Sequence, residues 1–271
     1  MLQHHGTSFH GKHWQSQRHP VRHGTMTDPG FEILYESEPC LAVAKPPGVL
    51  TQAPPGIDSM ELRIKTFFRH RGVLPAGSVP PAPPVVPEDL EEVYLGVPHR
   101  LDRPASGTML FAKTRRATRK LGAQFERRQV KKTYWACIEG RVSPETGTWN
   151  DYLWKVPGVA RAEIVGPDHP QGRLALLHYR VLGGGPWGSW LAIELETGRT
   201  HQIRVQCSSR GHPILGDAQY GATIPFGPPY EDERLRWIAL HARSLSFFDP
   251  STRQPVTVSA SVTAEWRALV H

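Results

Sequence analysis

The chain has 271 residues and a mass of 30.3 kDa, with 39% hydrophobic and 21% charged residues and a mean hydropathy of -0.41. That balance predicts one large domain with a sizeable buried core, and no apolar run approaches the length that crosses a bilayer, so a membrane protein is not expected. A net charge of +7 makes polyanions the natural partners, because neutralising phosphates releases counterions.

Residues 1–27 hold six histidines and three basic residues with no acid, so they are expected to form a disordered extension ahead of a folded region over 28–271. Met26 within it is a candidate translation start, and no apolar segment of secretory type is expected there. Two short strands are predicted at 31–35 and 40–44, divided by a polar turn, and Lys45-Pro46-Pro47-Gly48 ends the second. Six prolines between 74 and 87 predict an extended loop. A strand is expected at 107–112 and a basic helix at 115–130, where Leu121 and Phe125 share a face. Further strands are predicted at 133–139, 174–182, 190–196, 238–248 and 256–260. Many strands with few helices give an α+β class built on a largely antiparallel sheet.

Charge is concentrated between His99 and Lys132, where eleven Lys or Arg residues stand against only Asp102 and Glu126. Asp102 lies between Arg100 and Arg103, and nearby cations suit a carboxylate that must stay ionised, as a nucleophile does. On composition alone an ordinary surface ion pair is the favoured account. A second constellation runs from Glu196 to Arg204, where Thr200 is expected to cap a helix and Arg204 offers a planar fork to a carboxylate or phosphate. A third, Lys131-Lys132-Thr133-Tyr134-Trp135, mixes cations with rings that can stack on a base, although a half-buried strand has the same pattern. The three cysteines, Cys40, Cys137 and Cys207, lack paired close spacing and read as reduced core residues of a cytoplasmic protein. The fourteen histidines include no pair with the spacing of a helical zinc motif. No metal or cofactor is therefore expected, and His99, His201, His212 and His241 are assigned hydrogen-bonding roles in loops.

Several of these motifs, in this order, resemble the RluA-type family of pseudouridine synthases. They are Lys45-Pro46-Pro47-Gly48, the segment His99 to Gly107 with Arg100-Leu101-Asp102, and Tyr134 after a lysine pair. Gly198 to Arg204, His212 to Gly221 and Leu240-His241-Ala242 complete the set. The resemblance runs from about Phe31 to Trp266 and implies a single catalytic domain. It implies that Asp102 is the catalytic aspartate, that Arg204 pairs with it, and that Tyr134 packs against the target uracil. Arg100 would help displace the base, and Arg103, Lys45, Arg199, His201 and Lys132 would contact RNA, with support of the Asp102 loop as a second option for Lys45. Ala105 stands where many relatives have threonine, and no counterpart of an S4-type RNA-binding domain is expected, which leaves RNA affinity to the basic 99–132 block.

The implied reaction converts a uridine in ribosomal or transfer RNA to pseudouridine. The target base must first leave its stack, at a cost of roughly a few kcal/mol. A monomer with no obligatory protein partner is expected. The rival expectation is a protein of the same fold that binds RNA or assists ribosome assembly without turnover.

Overall fold

A computed structural model describes residues 30–71 and 93–270. The expected extension over 1–27 and the proline-rich stretch 74–87 lie outside the described residues. Ten strands join in one sheet: β1 (Glu32–Glu36), β2 (Cys40–Lys45), β3 (Ser106–Ala112), β4 (Lys131–Glu139), β5 (Thr146–Lys155), β6 (Ala162–Val165), β7 (Arg173–Gly185), β8 (Gly188–Leu195), β9 (Leu240–Phe248) and β10 (Pro255–Ser259). The helices are α1 (Met60–His70), α2 (Arg115–Glu126), α3 (Gln202–Ser208) and α4 (Ala264–Val270).

The strand order is β1-β2-β3-β9-β4-β8-β7-β5-β6, with β10 also on β9. Every pairing is antiparallel except β3 with β9, which run parallel over Ser106 to His241 and Gly107 to Ala242. The expected α+β class with a largely antiparallel sheet is therefore what the chain forms.

Strand alternation explains why both faces of the central sheet are dry. Side chains point to opposite faces at successive positions. Leu41 and Val43 of β2, with Met109 and Phe111 of β3, join the main core with Met60 and Ile64 of α1 and Trp266 of α4. Cys40, Ala42, Leu110 and Ala112 face the other way, under Ala117 and Leu121 of α2. All three cysteines are free and buried. Thr114 starts α2 by accepting a hydrogen bond from the Ala117 amide at 3.1 Å.

Several boundaries differ from the expected ones. Helix α2 stops at Glu126 rather than near 130, because Arg128 turns left-handed (φ 55°) and Val130 then drops into the core beneath the helix. Strand β9 begins at Leu240, not 238. Helix α1, strands β5 and β6, and helix α4 were not expected from the pattern. Yet α1 carries Met60, Ile64, Phe67 and Phe68 at helical spacing and a capping Ser59.

Gly107 makes the parallel β3–β9 contact possible. Its φ is +120°, and a Cβ there would lie 2.3 Å from the Ala242 carbonyl oxygen. Gly107→Ala is expected to lower stability by about 3 kcal/mol or more, measured by denaturant unfolding.

Candidate active site

Asp102 lies in the loop leading into β3, and two short segments from elsewhere in the chain fix that loop. Thr51, buried, donates from its hydroxyl to the Leu101 carbonyl (2.9 Å) and accepts from the Leu101 amide (3.1 Å). Lys45, 1% exposed, donates from Nζ to the carbonyls of Pro46 (2.9 Å), Val49 (2.8 Å) and Arg103 (3.1 Å). Gly48 answers by donating its amide to the Arg103 carbonyl at 2.8 Å, while Arg103 Nε donates to the Gly48 carbonyl at 2.9 Å. The Lys-Pro-Pro-Gly turn and the aspartate loop are thus one hydrogen-bonded unit. The Ala105 amide closes the loop on the Asp102 carbonyl at 3.1 Å.

Behind the loop, histidines set the next contacts. His241 Nε2 lies 3.2 Å from the Ala260 carbonyl, which can only accept, so Nδ1 accepts from the Ser106 hydroxyl at 2.8 Å. His99 Nε2 accepts from the Leu110 amide at 2.8 Å, and its ring stacks on Phe125. Burial pushes the His99 pKa down to about 3 and that of His241 to about 4, so both are neutral in the expected hydrogen-bonding roles.

Arg204 comes to Asp102 from the opposite side, on α3. Gln202 shapes the approach: its Oε1 accepts from the Thr197 hydroxyl (2.8 Å) and the Arg199 amide (3.0 Å). The N-cap position is held by His201 in a left-handed conformation (φ 51°) without a side-chain cap bond, so Thr200 does not cap this helix as expected. From there six residues, Gln202 to Cys207, are buried, and Arg204 is 4% exposed. Its Nε and Nη2 donate to the two oxygens of buried Asp217 at 2.7 and 2.8 Å, Nη2 also donates to Gln219 at 2.8 Å, and the guanidinium lies 4.9 Å from the Tyr220 ring centre. Nη1 reaches Asp102 Oδ2 at 3.5 Å. Burial opposes the charge on Arg204, but the bonds and charge of Asp217, with that of Asp102, outweigh it and raise its pKa.

Magnitudes rank these two contacts. Stranding either member of the buried Arg204–Asp217 pair would cost about 3–5 kcal/mol. The single, longer contact to the 19%-exposed Asp102 carboxylate is worth far less. The expected Arg204–Asp102 pairing is therefore the minor of the two, and Asp217 holds the arginine.

His201 Nε2 also approaches Asp102, at 3.8 Å, while its Nδ1 lies 2.9 Å from the Tyr220 hydroxyl. Burial lowers the His201 pKa against the pull of Asp102. Tyr134 is aimed by a register shift between Thr133 and Tyr134 in the β4–β9 ladder, the kind of bulge that redirects a side chain. Burial, then the charge of Asp102, raises its pKa, which keeps the phenol neutral. Trp135 points away, edge-on to Trp190 in the core, so only one ring of this strand faces the site.

These groups open on a cleft of about 830 Å³ whose walls include Arg100, Asp102, Lys132, Tyr134, Arg199 and Arg204. Of the expected RNA contacts, Arg100 and Arg199 are exposed there. Lys132 lines the cleft with its pKa lowered by burial and by Arg128. Lys45 does not fit that role: it is sealed beneath the Asp102 loop, where it can support the loop but cannot reach a phosphate. Arg103, half-buried, donates its Nε to the Gly48 carbonyl, as Arg199 does to that of Leu174. Asp217, Gln219, Tyr220 and Thr51 were not singled out as site residues. Asp217 carried a usable signal, a lone acid directly after the apolar run Pro213-Ile214-Leu215-Gly216, which must find a cation if buried.

The known proteins similar to this chain, in sequence and in fold, are RNA pseudouridine synthases. The sequence profile described as RNA pseudouridylate synthase matches residues 40–209. An uncharacterized RNA pseudouridine synthase from Synechocystis is 32% identical over 89% of this chain and 68% of its own length. A ribosomal large subunit pseudouridine synthase D from Pseudomonas aeruginosa is 33% identical over 82% of this chain and 65% of its own. The solved structure titled human RNA Pseudouridylate Synthase Domain Containing 1 superposes with a TM-score of 0.61 at 24% identity, covering 86% of this chain and 83% of its own. The chain spans about two thirds of those first two relatives.

Fold and sequence together define an RNA-modifying isomerase of the pseudouridine synthase class. Within that class, the chain belongs to the RluA-type family of RNA pseudouridine synthases.

Burial lowers the Lys45 pKa from 10.5 to about 7, against the opposing pull of Asp102. Between those values the unfolded chain binds the proton that the folded chain has lost, so this group adds stability as pH rises. The wild-type protein is expected to gain about 2 kcal/mol relative to Lys45→Met between pH 7 and 9, read from denaturant unfolding at the two pH values.

Proposed function

We propose that this protein isomerises specific uridines in structured RNA to pseudouridine, with Asp102 as the nucleophile. The observation that carries this reading is the Asp102 carboxylate on the cleft wall, with Arg204 Nη1 at 3.5 Å, His201 Nε2 at 3.8 Å and Tyr134 beside it. In the reaction the bond from uracil N1 to ribose C1' breaks, the freed uracil turns, and C5 bonds to the same C1'. The proton on C5 is lost and N1 gains one, so the atoms balance without redox chemistry or an added group.

Attack at C1', attack at uracil C6 and removal of the C2' proton all begin from an ionised carboxylate. The Arg204 guanidinium, 3.5 Å away, gives such a carboxylate a fixed counter-charge. Tyr134, held neutral, provides a ring face for uracil and a hydroxyl donor. Arg100, exposed at the mouth, fills the stack as the target nucleotide flips, and Arg199 and Lys132 hold flanking phosphates. His201 belongs to the wall beside Asp102.

Ribosomal RNA is the first substrate to test, in view of the named P. aeruginosa relative, with transfer RNA as the alternative outcome. We place the enzyme in the cytoplasm as a monomer without a cofactor. The three free, buried thiols support a reducing compartment.

With RNA labelled with tritium at uracil C5, wild-type protein is expected to release tritium, and Asp102→Asn to release it at least about 10³-fold more slowly while still binding RNA. Mapping pseudouridines in total RNA with and without the protein then identifies the target. Equal release by Asp102→Asn would overturn the role of this residue. Binding by the wild type without release from any cellular RNA pool would identify a non-catalytic RNA-binding protein instead.

A further inference from the structure

The basic block read from sequence divides between two surfaces. Arg100, Arg128, Lys131 and Lys132 line the cleft. Arg103 holds the Gly48 carbonyl, Lys113 is taken up by Glu36, and Lys120 by the Pro250 carbonyl. That leaves Arg115, Arg116, Arg119 and Arg127, all exposed, on and just beyond helix α2.

A helix advances about 100° per residue. Ala117, Leu121 and Gln124 are therefore on the buried side, while Arg115, Arg116, Arg119, Ala123, Glu126 and Arg127 share an outward arc of about 120°. Among the described residues, the guanidinium groups of Arg116, Arg119 and Arg127 have no ion pair or hydrogen-bond partner. Arg115 and Arg116 stand in the first turn, which contains no acid, although the helix dipole disfavours cations there. Gly122 lies at the edge of the arc, and a Cβ placed on it would meet nothing within 4 Å. Glycine in an open helix interior weakens the helix relative to alanine, and no internal packing calls for it here. Two choices unfavourable to the isolated helix thus coincide on one exposed face, and an approaching polyanion would offset the first and use the room left by the second.

We propose that the outer face of α2 docks the phosphate backbone of a base-paired stem flanking the target uridine. This inference rests on the RNA-isomerase reading above and assigns a second contact surface outside the catalytic cleft. A stem fits better than a single strand, which would need rings to stack its bases. Of the exposed rings beside the helix, Tyr94 is covered by Arg115 and tied by its hydroxyl to Thr118, and Phe248 belongs to the strand bonded to Gln124 on the buried side, away from the arginine arc. Arg116 and Arg127 are about 16 Å apart along the helix, a rigid spacing suited to the fixed phosphates of a duplex. The C-terminal end of α2 leads directly to the cleft, since Phe125, Glu126 and Arg128 line it. RNA lying on α2 would therefore enter at the correct mouth.

The test compares wild type with an Arg116→Gln, Arg119→Gln, Arg127→Gln variant on two RNAs, each identified beforehand as a wild-type substrate: one with the flanking stem and one truncated to the target loop. On the stem RNA, KM is expected to rise about tenfold or more with kcat unchanged, and the slope of log affinity against log salt to fall by about 2–3. On the loop RNA both proteins should be indistinguishable, which also verifies that the variant is folded. Equal KM and salt slope on the stem RNA would overturn the proposal, as would an equal loss on both RNAs. If the preceding search finds no RNA that the wild type converts, it is the isomerase reading that is overturned instead.

Discussion

The two-pronged bond between Arg204 and Asp217 is the constraint on which the site depends. Both groups are almost completely buried, so neither can be left without the other. The pair uses Nε and Nη2 of the guanidinium, which fixes its plane and leaves Nη1 directed to Asp102. An arginine held only by Asp102 would follow that carboxylate wherever it moved. Anchored on Asp217 instead, it gives the proposed nucleophile a fixed counter-charge, which is the preorganisation that electrostatic catalysis needs. Tyr220 closes the arrangement by lying against the guanidinium while its hydroxyl meets both His201 and the backbone of β6.

Asp102 is positioned with similar economy from the other side. Lys45 and Thr51 bind the carbonyls and amide of the aspartate loop, and Gly107 lets β3 run close beside β9 immediately after it. The loop is thus held by backbone contacts, and the carboxylate side chain is left to face the cleft. Segments around residues 45, 102 and 134 meet because the sheet order brings β2, β3, β9 and β4 side by side, while α3, packed on β5 and β6, brings Arg204, with Asp217 bonded to it, to the same point.

Much of this was legible before the fold was known. The alternating and apolar runs marked most strands, and the motifs around Asp102, Tyr134 and Arg204 marked groups that the structure brings to one cleft. What stayed hidden was pairwise and long-range. For Lys45 the resemblance left two options, a phosphate contact or support of the Asp102 loop, and only tertiary packing, with three carbonyls around its Nζ, decides for the second. The resemblance paired Arg204 with Asp102, a contact the structure contains, but the stronger bond to Asp217 went unnoticed because a lone acid after an apolar run says that it needs a cation without saying which. The end of α2 was misjudged because the stop is a left-handed arginine, Arg128, and not a glycine. Strand β5 was missed because Thr146-Gly147-Thr148 and the polar Asn150-Asp151 interrupt its apolar alternation.

The most direct test of this account is single-turnover kinetics of Asp217→Asn on a substrate RNA, with folding verified by circular dichroism. Asparagine keeps the shape but removes the charge that holds Arg204. The account predicts a folded but less stable protein whose RNA affinity is retained and whose rate of isomerisation falls by about 10²-fold or more. A folded Asp217→Asn protein that isomerises at the wild-type rate would contradict it.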